Sequence, residues 1–263
     1  MFQSPGAIAF HIGEMPIFWY GIILAIAAFV GFYVSSYIYS KYHNNPAEAE
    51  KILDIAPILI VCGIIGARLY YCGVSYEYYL THPIQIFDLR QGGLSIHGMI
   101  IGGLVGLWFC VKKYNLNFLK VVDCLVCGTA LAQSIGRWGN FFNSEAFGMP
   151  TNLPWKLFIP LENRPGSLIR YEYFHPTFLY ESILDFLIFI FLVVILQRYG
   201  KYQGLTFSLY LILYSVARIG IEYLRLDSAM YIGSMPVAVF VSICLITCSS
   251  LFLAGIVMGA KQK

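Results

Sequence analysis

The sequence predicts an all-α polytopic membrane protein: a bundle of about seven transmembrane helices, with the N-terminus outside and the C-terminus inside. Three observations carry that expectation. Of 263 residues, 59% are hydrophobic and 12% charged, against about 25% charged in an ordinary soluble domain, and the mean hydropathy is +0.70. Apolar runs near the ~20 residues that cross a hydrocarbon core recur over 16–40, 52–72, 94–111, 119–136, 177–197, 204–224 and 234–258. The basic residues, finally, are unevenly shared between the two sides of this plan. No repeat, low-complexity tract or linker divides the chain, so 1–263 reads as a single integral membrane domain.

The first span begins at Pro16, placing Trp19-Tyr20-Gly21 in its first turns. The stretch before it, MFQSPGAIAFHIGEMP, lacks a basic region and a small-residue cleavage site, so no removable signal peptide is expected. The second span ends outside with Gly66-Ala67-Arg68. The third begins in GGLSIHG (92–98) with His97 about one turn in, near the positive end of a helix. Its Gly98, Gly102 and Gly106 have the small-xxx-small spacing of close helix packing. The fourth ends with Gln133 and Arg137, and the segment 137–176 follows on the outer face as a lid or docking region. The fifth starts at His175-Pro176, proline suiting a first turn, and carries Tyr180, Glu181 and Asp185. The sixth ends in Tyr214, Arg218, Glu222 and Arg225, spaced to share one helix face. The seventh returns to a tail with Lys261 and Lys263.

With the N-terminus outside, the inner connections hold Lys41, Lys51, Lys112, Lys113, Lys120, Arg198 and Lys201 besides the tail lysines; the outer ones hold Arg90, Lys156, Arg164 and Arg170. That asymmetry sets the orientation. Eight of the nine lysines are inner, whereas seven of the eight arginines are outer or near outer helix ends. Arginine offers a rigid fork matched to carboxylate and phosphate, so the outer arginines read as ligands for an anion. Ionisable groups in membrane helices usually face a bundle interior or a wet cavity. Here they converge on one leaflet, which points to an outer polar cavity.

Other classes fit less well. The basic residues form no runs, so no nucleic-acid partner is expected. The seven cysteines lie mostly in apolar segments, and Cys124-x-x-Cys127 has neither a second pair nor a nearby histidine, so neither disulfides nor a metal site is expected. An organic-anion transporter with an outer arginine vestibule is the main alternative, although no inverted repeat or charged inner pathway supports it. Taken singly, Arg218, Glu222 and Arg225 also read as an intrahelical salt-bridge stripe, and His97 as a satisfied core histidine.

The stretch GRWGNFFNSEAFG (136–148) resists such bland readings, because helix capping explains neither Arg137 nor the interleaved phenylalanines. It meets every fixed position of G-R-x-G-N-F-x-N-x-E-x-x-G, the signature of the bacterial phosphatidylglycerol–prolipoprotein diacylglyceryl transferases. Trp19-Tyr20-Gly21, Gly66-Ala67-Arg68, GGLSIHG, HPTFLYE (175–181) and YSVARIGIEYLR (214–225) resemble that family's landmarks in order, and cover nearly the whole chain. Thr177 stands where some members have serine. The resemblance implies a multi-pass enzyme of the bacterial plasma (inner) membrane with its site toward the outer leaflet. It would move the diacylglyceryl group of phosphatidylglycerol onto the lipobox cysteine thiol of a preprolipoprotein, release glycerol phosphate and need no cofactor. It further implies that Arg137 and Arg218 bind phosphate and stabilise the leaving group, with His97 as general base or lipid-orienting residue. Asn140, Asn143 and Glu145 would bond the headgroup or hold Arg137, Gly148 closes the motif, and Tyr20, Arg68, Tyr214, Glu222 and Arg225 complete the substrate site.

Overall fold

The computed structural model describes residues 2–88, 92–226 and 231–261; Arg90 and Lys263, assigned above to the outer and inner sides, lie outside the described residues. Two short strands, β1 (Phe2–Gln3) and β2 (Ile8–Ile12), are followed by β3 (Met15–Phe18), α1 (Trp19–His43), α2 (Pro46–Val74) and the short α3 (Tyr76–Thr81). Then come α4 (Ile96–Lys113), α5 (Phe118–Asn143), β4 (Leu157–Phe158), β5 (Tyr173–Phe174), α6 (Thr177–Tyr199) and α7 (Leu205–Glu222). The chain ends with β6 (Tyr231–Ile232), β7 (Met235–Pro236) and α8 (Val237–Lys261). Among the described residues, seven helices are long and apolar enough to cross a membrane: α1, α2, α4, α5, α6, α7 and α8.

Of the helix ends that differ from the expected spans, three bear on the site. Pro16 belongs to a hairpin, not to a helix: β2 and β3 pair antiparallel across Gly13 (φ 62°), and α1 starts only at Trp19. The fourth span runs on past residue 136 to Asn143, so Arg137, Asn140 and Asn143 are helical. The sixth stops at Glu222, which leaves Arg225 beyond the helix in an antiparallel bridge with Gly148.

The chain forms two compact units, 39–121 and 1–38 with 122–263. In the first, α2 and α4 pack backbone to backbone: a Cβ on Gly66 would lie 2.8 Å from the Gly102 Cα, and one on Gly98 2.5 Å from the Tyr70 Cβ. With lipid offering no hydrophobic drive between helices, small residues let dispersion do the work. This is the packing role expected of Gly98 and Gly102. At the start of α2, the Asn45 side chain accepts the Glu48 N–H (3.1 Å), with Pro46 in the first turn, an arrangement proline suits because it has no N–H to leave unpaired.

In the second unit, α1 meets α5 where a Cβ on Gly31 would stand 2.9 Å from the Gly128 carbonyl oxygen. α5 is joined to α6 reciprocally: Ser134 Oγ donates to Ser182 O and Ser182 Oγ to Ser134 O, both at 2.8 Å. Asp123 on α5 accepts the Gly204 and Phe207 N–H groups at 2.7 and 2.8 Å, capping the start of α7. Between α5 and α6, β4 pairs with β1 and β5 in a three-stranded sheet. Leu157, Ile159, Phe174, Phe178 and Phe147 form a buried core beneath it. Each such side chain contributes about 1.5–3 kcal/mol, which gives the segment between α5 and α6 an anchored base.

Candidate active site

Glycines at 136 and 139 do not break α5. Gly139 is needed where it is, since a Cβ there would fall 2.7 Å from Cδ2 of the Tyr20 ring. Trp19 stacks on Phe142 with ring centroids 5.0 Å apart, so the start of α1 and the end of α5 fit together through aromatic faces. Past Asn143 the chain turns through Ser144 and Ala146, both at φ 53°. The reversal is held from within: Asn140 Nδ2 and Asn143 Nδ2 donate to Glu145 Oε1 at 2.9 and 3.3 Å. Glu145 is therefore tied to the two asparagines, and the alternative that this trio holds Arg137 is replaced by a different partner, described below.

The end of the motif is fastened to both neighbouring helices. Thr177 Oγ1 donates to Ala146 O (2.5 Å), a bond that needs only the hydroxyl. Gly148 N–H donates to His175 O and Met149 N–H to Leu224 O, both at 2.9 Å. A Cβ on Gly148 would approach Leu224 O to 2.6 Å, so this glycine serves close backbone packing. Nearby, Trp155 Nε1 donates to Tyr180 Oη (2.8 Å), which is 3.1 Å from His175 Nδ1.

These connections bring three helix ends together around Glu181. Its Oε2 pairs with Arg137 Nη2, its Oε1 accepts Arg225 Nη1 at 2.9 Å, and Arg218 Nη1 stands 3.8 Å from Oε2. Arg218 Nη2 also meets Glu222 Oε2 at 2.6 Å, one turn along α7. The Glu181 side chain is 7% exposed, and those of Arg137, Arg218 and Arg225 are 21%, 20% and 12% exposed. Charges this sheltered interact more strongly than surface pairs. Tyr214, one turn before Arg218, stacks on Tyr210 with centroids 5.8 Å apart, and Tyr210 Oη donates to Gln133 Oε1 (2.9 Å). Arg137, Arg218, Glu222 and Arg225 are thus gathered as expected, although Arg225 arrives from beyond the helix. The node of the cluster, Glu181, was absent from the expected site residues. Its signal was available: it closes HPTFLYE and sits at the depth of the arginines.

The remaining two candidates belong to the other unit. Arg68 is 6% exposed and gives every N–H to backbone. Nε donates to Ile86 O (2.9 Å), Nη1 to Gly92 O and Gly93 O (2.8 and 3.0 Å), and Nη2 to Gln85 O and Asp88 O (2.5 and 2.8 Å). Its fork organises a loop. His97, in the first turn of α4, is exposed and stacks on Tyr70 at 5.9 Å. Among the described residues no group of three or more His, Cys, Asp or Glu could hold a metal ion.

Seven apolar helices, with a sheltered cluster of arginines and carboxylates gathered at the ends of three of them, define a multi-pass membrane protein. The family model for prolipoprotein diacylglyceryl transferase matches residues 7–255, and the chain belongs to that family. Similar proteins include the phosphatidylglycerol–prolipoprotein diacylglyceryl transferase of Nostoc sp. (strain PCC 7120), 43% identical over 261 residues, which are 97% of this chain and 90% of the relative. That of Synechocystis sp. (strain PCC 6803) is 44% identical with the same coverage, 97% and 90%. That of Prochlorococcus marinus (strain MIT 9215) is 43% identical over 252 residues, 89% of this chain and 84% of the relative. The anion-transporter alternative finds no support in these comparisons.

Proposed function

We propose that this chain transfers the diacylglyceryl group of phosphatidylglycerol to the lipobox cysteine thiol of a preprolipoprotein, acting as a single membrane domain at the outer leaflet of the bacterial plasma membrane. One observation carries the mechanism: three guanidinium groups converge on a single sheltered carboxylate. A site that holds one carboxylate in this way suits a phosphodiester, which also has one charge spread over two terminal oxygens.

In the proposed reaction the substrate thiol, with an ordinary pKa of about 8.5, loses its proton to a general base. The thiolate sulfur attacks the glyceryl carbon bonded to the phosphate oxygen. A C–S bond forms, the C–O bond breaks, and its electron pair leaves with glycerol phosphate, which gains a second negative charge. The displacement is redox-neutral and balances with the proton held on that base until solvent or product takes it. Arg137 and Arg218 meet the charge that grows on the leaving phosphate. Fixed donors of this kind are worth about 10²–10³ in rate each. Asn140, Asn143, Glu145 and Tyr214 flank the headgroup.

The test uses purified protein in detergent with phosphatidylglycerol and a peptide bearing a lipobox cysteine, or serine in its place. Glycerol phosphate released only with the cysteine peptide supports thiol-directed transfer. Release with neither peptide from folded protein overturns it.

A further inference from the structure

Resting on that reading, we propose that Glu181 is an internal occupant of the phosphate site. Its carboxylate holds the guanidiniums of Arg137, Arg218 and Arg225 before lipid binds, gives them up to the phosphodiester, and takes them back to expel glycerol phosphate.

Glu181 differs from the other carboxylate of the cluster. Glu222 pairs with Arg218 four residues away on the same helix end, so the two shift together. Glu181 stands on α6 and meets arginines from α5, from α7 and from the segment after α7. Its backbone is fixed by its neighbours: Ser182 exchanges hydrogen bonds with Ser134, and Thr177 is tied to Ala146. The side chain can still withdraw by changing rotamer.

The fit of the carboxylate is incomplete. Arg218 Nη1 is buried, makes no hydrogen bond among the described residues and stops 3.8 Å from Glu181 Oε2. Two coplanar oxygens satisfy Arg137 and Arg225 and fall short of the third fork. The oxygens of a phosphate spread tetrahedrally and can reach all three, which gives the diester its advantage over the resident carboxylate. The charge balance supplies the return step. Among the described residues, the groups joined in these ion pairs are three arginines and two glutamates, with one net positive charge. A diester brings one negative charge, whereas the released monoester carries about −1.5 to −2. With the product bound the cluster is over-neutralised, and Glu181 competes for the same donors.

An internal competitor acts as a tax on apparent affinity, so its removal should tighten binding. A carboxylate that merely supports the arginines should weaken binding when removed. The experiment titrates glycerol phosphate into the purified wild type, Glu181→Gln and Glu222→Gln by calorimetry, and follows pre-steady-state release from phosphatidylglycerol with the cysteine peptide. Glu181→Gln should bind glycerol phosphate about tenfold tighter, give a burst followed by slow turnover, and exceed any tightening in Glu222→Gln, which loses the same charge. Equal or weaker binding than wild type, or equal tightening in both variants, would overturn the proposal. Should Glu181→Gln show no cooperative melt, Glu181→Asp, with its carboxylate drawn back by one methylene, is held to the same sign. A wild type that releases no glycerol phosphate would instead sink the transferase reading itself.

Discussion

Arg68 and Arg137 both sit near the end of a long apolar helix, and in the sequence they look equivalent. Their partners set them apart. Arg68 donates to five backbone carbonyls between Gln85 and Gly93, and withdrawing it would remove all five of these bonds at once. Arg137 pairs with one carboxylate, for which an anionic ligand can substitute. The distinction was not legible because it depends on a loop whose carbonyls turn inward through Gly92 and Gly93, at φ 81° and 74°. Two outcomes follow at this scale. Arg68→Lys, which offers three donors from a single nitrogen, should lower the melting temperature in detergent by an amount corresponding to roughly 2–4 kcal/mol. Arg137→Lys should melt like the wild type and lose about 100-fold in kcat/KM for glycerol phosphate release, because a point charge cannot reproduce the fork. A near-normal rate in the lysine variant would remove the fork from the mechanism.

Helices place these residues, and the element whose length was misjudged is the one that matters most. A stretch with glycines at 136 and 139 and asparagines at 140 and 143 reads as a helix end, since each glycine costs a helix about 1 kcal/mol. Tertiary contacts override that preference: Tyr20 occupies the space over Gly139, and Trp19 and Phe142 stack beside it. The apolar spans were legible because burial in lipid requires length and hydropathy, both visible in one dimension. The reversal at Ser144 and Ala146 and the stitching of Gly148 were not, because they rest on backbone bonds between segments far apart in sequence. Asp123 is a further case. It reads as a solvated residue near an inner helix end, yet it is 1% exposed and caps α7 from α5. Asp123→Ala should cost about 1–2 kcal/mol of stability, the usual worth of a lost N-cap, seen as an earlier melting transition. A variant with unchanged melting would mean that α7 is held in place by packing alone.

For the molecule as a whole, the proposed orientation rests on charge. Lysine is costly to move across a bilayer and inexpensive to leave in cytoplasmic loops, and the connections proposed to face inward hold most of the lysines. The short strands of the outer segment left no such trace, since two-residue strands are too brief to show alternation. They are nevertheless what secures the region between α5 and α6 that would face the exported substrate. The proposed orientation puts Glu162, before β5, outside, and Lys201, between α6 and α7, inside; both are exposed. The native cysteines at 62, 72, 110, 124, 127, 244 and 248 all lie within the apolar helices, where an aqueous reagent meets little thiolate. Single substitutions Glu162→Cys and Lys201→Cys can therefore be compared in the otherwise native protein. A membrane-impermeant maleimide should label Glu162→Cys in intact spheroplasts and Lys201→Cys only after the membrane is opened. The reverse pattern would place the arginine cluster at the inner leaflet, away from an exported cysteine, and the proposed transfer would then have no access to its acceptor.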